Sequence, residues 1–199
     1  MSGQEDWGVL HELRGKYPEF TKKGLCIDGG SRIMNGSVKF FLGPNVEYIG
    51  IDKDNKDELT GDPVGGVTWK GYIHEYPGNE IADLVTCFNA FEHDPYWKES
   101  VTRLVELLKP GGLFVFQLIC SGKPHGAIYA EKEHYNNMSV ASFNGVLMGL
   151  PVKVTNQLSR SKNYWYACPV DMKGELVDAP ENIRCTRDFE YLIGRKNDN

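Results

Sequence analysis

The chain has 199 residues, a length that one hydrophobic core commonly serves, so we expect a single domain spanning residues 1–199. Hydrophobic residues make up 41% of the chain and charged residues 25%, a composition that excludes an intrinsically disordered protein. Lys and Arg number 22 against 27 Asp and Glu, so the net charge is -5. An extended basic surface for nucleic acid is therefore not expected, although this balance leaves room for a local basic patch.

The sequence shows no feature that would direct the chain to a membrane or to export. The longest apolar stretch, residues 113–120, contains a Gln and is far below the roughly 18 residues needed to cross a bilayer. The N-terminal residues MSGQEDWG are acidic and polar, so we expect a cytoplasmic protein. Five cysteines without a CxxC pair argue against a disulfide framework and against a zinc knuckle.

The N-terminal segment 1–23 is predicted to be helical. Trp7, Leu10 and Leu13 recur at helical spacing over residues 4–15. Amphipathicity alone does not distinguish a helix that covers a binding pocket from one that packs on a sheet.

From residue 24 the chain alternates short apolar runs with helical or turn-rich segments, as in an open sheet built from βαβ units. Residues 24–28 and 46–52 predict two strands that each end in an acid, and Ser37 is predicted to cap a short helix between them. A weaker strand at 66–71 and a continuous apolar strand at 81–88 are predicted next.

Helix 95–109 is the clearest element in the sequence. Asp94 is a good N-cap, and Pro95 suits the first helical position. The turn Lys109–Gly112, with one proline and two glycines, is predicted to end the helix. The apolar run 113–120 then predicts a fifth, central strand.

The pattern loosens after this strand. Residues 121–138 form a long connection without a clear period, and such loops are commonly functional, so we interpret them as a candidate substrate lid. Ser139 is predicted to cap another helix. Residues 151–158 and 188–194 are predicted to form the last strands of the sheet, with an antiparallel partner at its edge. Residues 163–170 are an alternative candidate for the last of these strands.

Two acids mark the expected binding edge. Open sheets bind ligands at the carboxyl ends of their strands, where the strand order reverses. Strand one ends in Asp28-Gly29-Gly30-Ser31, where backbone can approach a ligand and a carboxylate can accept from an ammonium or hydroxyl. Asp52 follows 24 residues later, close to the roughly 20-residue offset at which an acid meets a ribose diol. Each acid alone suits an ordinary turn, but the pair favours a cationic adenosyl compound over a pyrophosphate.

Four runs of the sequence resemble the class I S-adenosylmethionine-dependent methyltransferases, in particular the small "type 11" group. They are CIDGGSR, NGSV, EYIGID and ADLVTCFNAFEHDPYWKESVTRLVELLKPGGLFVF. The resemblance spans about residues 24–150. It implies an α/β, Rossmann-like class I methyltransferase fold, with a mainly parallel seven-stranded sheet and helices on both faces. Residues 24–120 would form the cofactor-binding core.

The resemblance also implies S-adenosyl-L-methionine as the cofactor. In such proteins the first loop surrounds the methionine part of the cofactor, and here that loop is Asp28-Gly29-Gly30-Ser31. Asp52 matches the acid that holds the ribose, and the turn Asn89–His93 matches the lining of the cofactor and substrate site. The chain departs from the pattern at Arg32, where a second glycine is usual, although Gly36 follows.

Two further residues are candidates for the cofactor site. Tyr72, near the end of the third strand, is positioned to stack on a base, although a core or surface tyrosine is the commoner reason for such a residue. Lys53 follows the ribose acid and is equally explained as a solvated lysine.

His93 is the best candidate for a catalytic base, because it lies at the strand-four turn and its ordinary pKa is about 6.5. A purely structural role at the entry to the following helix is equally consistent with the sequence. His125, Tyr129 and Tyr135 in the long loop are candidates for binding the substrate. No spacing of a metal site accompanies them, so no metal is predicted.

The sequence thus predicts methyl transfer from S-adenosylmethionine to an unidentified acceptor, more readily a small molecule than a nucleic acid, and gives no indication of an oligomeric state. Two alternatives stay open. A catalytically inactive sensor or partner protein would keep Asp28 and Asp52 without an acceptor pocket. An NAD-dependent oxidoreductase would normally need a GxGxxG turn, which GGSRIM does not supply.

Overall fold

The computed structural model describes residues 7–31, 38–54, 66–88, 90–120, 139–166 and 183–198. These residues form one seven-stranded sheet with three α-helices packed against it. The strands are β1 (Gly24–Gly29), β2 (Val46–Asp52), β3 (Trp69–Lys70), β4 (Ala82–Cys87), β5 (Leu108–Cys120), β6 (Val152–Tyr166) and β7 (Ile183–Lys196). The helices are α1 (Trp7–Lys16), α2 (Trp97–Leu107) and α3 (Val140–Leu147).

The strand order in the sheet is β3-β2-β1-β4-β5-β7-β6. The first five strands are parallel, whereas β7 runs antiparallel to both of its neighbours, β5 and β6. Successive strands step from β1 to β3 in one direction, and β4 and β5 continue on the other side, so the order reverses between β1 and β4. Ligands of open α/β sheets bind beyond the carboxyl ends of strands at such a reversal. The predicted α/β class with a mainly parallel seven-stranded sheet is confirmed.

Both faces of the sheet are covered, because the central strands turn alternate side chains to opposite sides. Ile27 and Val85 point to one face, where they join the apolar residues of α2 and α3. Their sequence neighbours Cys26 and Leu84 point to the other face, where they join those of α1. The continuous apolar character of the central strands follows from this burial on both sides.

Helix α1 packs on the sheet, which is one of the two positions that its amphipathic sequence allowed. Its residues Leu10 and Leu13 are buried in the same cluster as Cys26 and Leu84.

Within the described part of the chain, no helix combines the length and the apolar character that a membrane span requires.

Several element boundaries differ from those predicted. Strand β3 has only two residues, while β6 and β7 are much longer than expected because their pairing continues from Val152 opposite Lys196 to Tyr166 opposite Ile183. Strand β6 thereby includes the first part of residues 163–170, which the sequence had offered as an alternative last strand. The predicted turn Lys109–Gly112 lies within the bounds of β5 as an irregularity between the pairs Leu108–Ala82 and Leu113–Leu84, where Gly111 has a φ of +73°, and α2 ends just before it at Leu107.

The start of α2 is held by Asp94, although the first helical residue is Trp97 rather than Pro95. The side chain of Asp94 accepts hydrogen bonds from the backbone N–H of Tyr96 (2.8 Å) and from the hydroxyl of Ser100 (2.5 Å). Its backbone carbonyl accepts from the N–H of Trp97 (3.2 Å). Asp94 therefore provides hydrogen-bond acceptors for N–H groups at the start of the helix, from two positions before the N-cap residue. This places the end of β4 and the beginning of α2 at the same edge of the sheet.

Candidate functional site

The chain turns sharply after β1 and crosses the end of β2. The backbone N–H groups of Gly30 and Ser31 both donate to the carbonyl oxygen of Ile51, at 2.8 and 3.1 Å. Both donors are therefore used inside the protein. This turn stands at the edge of the sheet where the strand order reverses.

Close contacts within the protein occupy the space beside both glycines of this turn, and at Gly30 they require a glycine. Gly30 has a φ of +74°, and a Cβ there would lie 2.2 Å from the Cβ of Ala90 in the loop after β4. A Cβ at Gly29 would lie 2.8 Å from Cδ1 of Ile73. The sequence had suggested that missing Cβ atoms let a ligand approach the backbone. The structure shows instead that they let two neighbouring segments pack against the turn.

Asp28 is enclosed rather than facing open space, since only 4% of the residue is exposed. One carboxylate oxygen accepts from the hydroxyl of Thr86 at 2.6 Å, and the other accepts from the hydroxyl of Tyr48 at 2.9 Å. Direct acceptance of a ligand ammonium or hydroxyl, as the sequence suggested, would compete with these two bonds. Tyr48 and Thr86 were not singled out from the sequence, because a hydroxyl group within a strand carries little signal by itself.

Burial raises the pKa of Asp28 to about 7. The hydrogen bonds from Thr86 and Tyr48 act in the opposite direction and stabilise the carboxylate, whereas the negative charge of Asp52 raises the pKa further. Desolvation therefore outweighs the two hydrogen bonds. The two acids lie at the same edge of the sheet, as predicted, because β1 and β2 are parallel and Gly29 pairs with Ile51 at their carboxyl ends.

Asp52 ends β2 in a half-buried position. One of its carboxylate oxygens accepts from the backbone N–H of Asp54 at 3.0 Å, and its backbone carbonyl accepts from the N–H of Gly71 after β3 at 2.9 Å. The next residue, Lys53, is half-buried as well. Asp52 is therefore more accessible to a ligand than Asp28.

Ser31 is the second candidate side chain of the turn. The residue is 3% exposed, and its hydroxyl has no hydrogen-bond partner among the described residues. The hydroxyl fits against β2 because residue 50 is a glycine, whose absent Cβ would lie 2.6 Å from the Ser31 oxygen. A buried hydroxyl without a partner is costly, so Ser31 is suited to bind a polar group of a ligand.

Tyr72 lies beyond β3 within a group of three aromatic rings. Its ring centroid is 5.7 Å from that of His74 and 5.4 Å from that of Tyr96, and the rings of His74 and Tyr96 are 4.6 Å apart. Tyr96 stands at the start of α2, so these contacts join the loops after β3 and β4. Tyr96 was not singled out from the sequence, because only the fold brings it beside Tyr72.

His93 lies in a short 3-10 helix, Phe91–His93, directly after the β4 loop. Its side chain is 32% exposed, and its Nε2 lies 3.8 Å from a carboxylate oxygen of Glu92, whose side chain is 2% exposed. This separation suits an electrostatic interaction more than a direct hydrogen bond. His93 thus stands at the carboxyl edge of the sheet with an acid beside it.

Negative charge is concentrated at this edge. Burial raises the pKa of the Cys87 thiol, and Asp28, Glu92, Asp94 and Asp52 all raise it further through their charges. Cys87 ends β4, and acids from the β1, β2 and β4 regions thus act electrostatically on one thiol. The arrangement is rich in acceptors and negative charge, which favours a ligand that carries hydroxyl groups and positive charge.

Several predicted site residues lie outside the described residues. They are Asn89 from the proposed cofactor site and His125, Tyr129 and Tyr135 from the candidate lid. Arg32, where the sequence departs from the family pattern, also lies outside them. Among the residues that the structure does describe, no group of three or more His, Cys, Asp or Glu is arranged to hold a metal ion.

Comparison with known proteins gives a likeness of fold and not of sequence. No family model matches the chain, and no curated protein matches its sequence. A Bacillus halodurans protein, assigned as a methyltransferase without a named substrate, aligns with a TM-score of 0.72 at 13% identity and covers 97% of this chain and 99% of its own. A SAM-dependent methyltransferase of Archaeoglobus fulgidus aligns with a TM-score of 0.61 at 16% identity, covering 94% and 93%.

A third similar structure holds bound ligands. It is the 1,6-didemethyltoxoflavin-N1-methyltransferase of Burkholderia thailandensis, with 1,6-didemethyltoxoflavin and S-adenosylhomocysteine. It aligns with a TM-score of 0.58 at 16% identity and covers 96% of this chain and 76% of its own. At these identities the comparisons show that the chain has the Rossmann-like class I methyltransferase fold. The narrower resemblance to the type 11 group stays a prediction.

Gly30→Ala is expected to destabilise the protein by about 2–4 kcal/mol, because it combines a left-handed backbone with a Cβ contact that Ala90 does not allow. Gly8→Ala is the matched control, since Gly8 lies in α1 and a Cβ there would meet nothing within 4 Å. The control is expected to be neutral or slightly stabilising. Urea denaturation of both variants measures the difference, and equal stabilities would contradict the assigned contact.

Proposed function

We propose that the protein transfers a methyl group from S-adenosylmethionine to a small-molecule acceptor. The observation that carries this proposal is that β1 and β2, parallel neighbours beside the reversal of the strand order, bear Asp28 and Asp52 at their carboxyl ends. It is supported by the fold, which this chain shares with SAM-dependent methyltransferases.

The backbone of the first loop argues for an adenosyl sulfonium and against a dinucleotide. A pyrophosphate at such a turn is bound by free backbone N–H groups and by the positive end of a helix. Here the N–H groups of Gly30 and Ser31 donate to Ile51, and the nearest acids would repel a pyrophosphate. A ligand with a cationic centre and a ribose diol meets neither obstacle. The turn after β1 therefore disfavours an NAD-dependent oxidoreductase.

The residues proposed to bind the cofactor have distinct roles. Asp52 accepts from the ribose hydroxyls, Ser31 provides its unpartnered hydroxyl to the methionine part, and Tyr72 flanks the adenine. Gly29 and Gly30 shape the turn, while Lys53 and Asn89 complete the cofactor-binding set. The bound cofactor supplies a methyl group that is already activated by the positive sulfur. The protein then has to align the acceptor, exclude water and take up a proton.

The acceptor is proposed to be a small molecule that carries an amine, hydroxyl or ring nitrogen. The net charge of -5 and the acids at the binding edge make a polyanionic acceptor such as nucleic acid unfavourable. The similar Burkholderia structure holds a small molecule of this kind. His125, Tyr129 and Tyr135 of the segment 121–138 are proposed to contact the acceptor.

Asp52→Asn is expected to weaken S-adenosylmethionine binding by about 1–3 kcal/mol, because the hydrogen bonds to the ribose lose their charge. Glu47→Gln removes a charge from the exposed side of the same strand and serves as the matched control. Isothermal titration calorimetry with S-adenosylmethionine, S-adenosylhomocysteine and NAD measures the affinities. Preferential binding of NAD, or unchanged affinity in a folded Asp52→Asn protein, would refute the proposed cofactor site.

Methyl transfer is tested with S-adenosylmethionine that carries a labelled methyl group, offered with a panel of amines, alcohols, thiols and nitrogen heterocycles. We expect label in at least one acceptor class and much less label with the Asp52→Asn protein. Tight cofactor binding without transfer to any class would instead favour an inactive sensor of S-adenosyl compounds.

His93 is proposed to be the base that takes the proton from the acceptor. With an acceptor from the panel and saturating S-adenosylmethionine, His93→Gln is expected to lower kcat by about 10²–10⁴-fold and to remove the decline in kcat at acidic pH that protonation of the base causes. His11→Gln on the exposed side of α1 is the control and is expected to keep the pH profile of the wild type. A His93→Gln profile that keeps this decline would exclude His93 as the base.

A further inference from the structure

Tyr48 and Thr86 hold Asp28 between two neighbouring strands. Thr86 of β4 is the register partner of Asp28, and Tyr48 of β2 pairs with Cys26, two residues earlier on β1. Their hydroxyl groups donate to different oxygens of the Asp28 carboxylate, at 2.9 Å from Tyr48 and 2.6 Å from Thr86. The carboxylate is thus fixed in the sheet with both oxygens engaged by the protein.

We propose that Tyr48 and Thr86 are positioning residues that keep Asp28 as a proton-exchanging carboxyl, which ionises when a cationic cofactor occupies the adjoining site at Asp52. The inference rests on the proposed function and deepens it. Asp28 then acts on the cofactor through its charge and not through a hydrogen bond of its own, because the residue is only 4% exposed. Occupation of the site and release of a proton become one coupled event.

The groups that face Asp28 determine the direction of this coupling. Burial raises the pKa of Asp28 to about 7, Thr86 and Tyr48 oppose this shift, and the charge of Asp52 adds to it. Cys26 and Cys87 also lie within electrostatic reach of Asp28, and burial raises the pKa of both thiols, which keeps them neutral. Beyond Tyr48, the ammonium group of Lys39 lies 5.7 Å from the centre of the tyrosine ring. Within the described part of the chain, Asp52 supplies the charge that acts on Asp28.

A cation bound beside these acids stabilises the carboxylate form of Asp28. Below about pH 7 the ligand-free protein carries a proton on Asp28, and binding has to expel it. Above this pH the carboxylate is already present, so affinity no longer depends on this proton. The dissociation constant of S-adenosylmethionine is therefore expected to fall about five- to tenfold from pH 6 to pH 8 on account of Asp28.

Isothermal titration calorimetry at pH 6, 7 and 8 tests the coupling, in two buffers that differ in ionisation enthalpy. The α-amino group of the ligand itself titrates near this range, so Asp28→Asn provides the reference profile. We expect the wild type to release a proton on binding at pH 7 and to gain more affinity with pH than Asp28→Asn does. Superimposable profiles of the two proteins would overturn the proposal.

Two conservative variants test the positioning role. Tyr48→Phe and Thr86→Val each remove one donor to the carboxylate while they keep the shape of the side chain, and each is expected to move the midpoint of the pH profile upward by about one unit. Thr102→Val is the control, because its hydroxyl donates to the carbonyl of Lys98 on α2, away from the site. A merely structural role would lower the melting temperature and leave the midpoint in place, which would overturn the proposal.

A titration without cofactor separates this proposal from the proposed function. Carbon-13 NMR of labelled aspartate side chains, with Asp28→Asn for assignment, follows the Asp28 carboxyl in the ligand-free protein. If S-adenosylmethionine binds at no pH, the proposed function and the coupling both fail. The ligand-free titration then still decides the positioning role: a midpoint that rises in both hydroxyl variants supports it, and an unmoved midpoint overturns it.

Discussion

The enclosure of Asp28 between Tyr48 and Thr86 is the interaction on which the site depends. It ties β1 to β2 on one side and to β4 on the other, at the point where the strand order reverses. Transfer of a carboxylate out of water is unfavourable, and the two hydroxyl donors offset only part of that cost. The remaining cost leaves the carboxyl close to its titration point at neutral pH. A group that is so nearly balanced responds to any charge that binds beside it.

The turn after β1 completes this arrangement through close contacts. Gly30 adopts a left-handed backbone and packs against Ala90, and the N–H groups of Gly30 and Ser31 are bound to Ile51. What the described residues of this edge offer to a ligand is therefore mainly acceptor oxygens, from Asp52 and Ser31, with the aromatic group around Tyr72 at the side. Such an edge is electrostatically matched to an adenosyl sulfonium and mismatched to a phosphate. The fold supplies the location of the site, and these contacts determine its chemistry.

The residue patterns predicted the architecture well where a single local rule decided the outcome. The apolar run of β2 has the predicted bounds, and Ser139 caps α3 by accepting a hydrogen bond from the N–H of Ser142. The rule failed where pairing across the sheet decided the outcome. The pairing of β6 and β7 with each other extends both strands well beyond their apolar cores. A strand boundary depends on its partner, which the local sequence does not contain.

The sequence by itself determined the class of fold and the two acids of the binding edge, because strand periodicity and the residues at strand ends are local properties. Only the tertiary structure decided what Asp28 contacts. Tyr48 and Thr86 are distant from it in sequence, and they reach it because parallel pairing brings three strands into register. The same holds for Tyr96 beside Tyr72, which the packing of α2 against the loop after β3 brings together. Hydrogen bonding and desolvation act through space, so the protonation of a buried acid is a property of the folded chain.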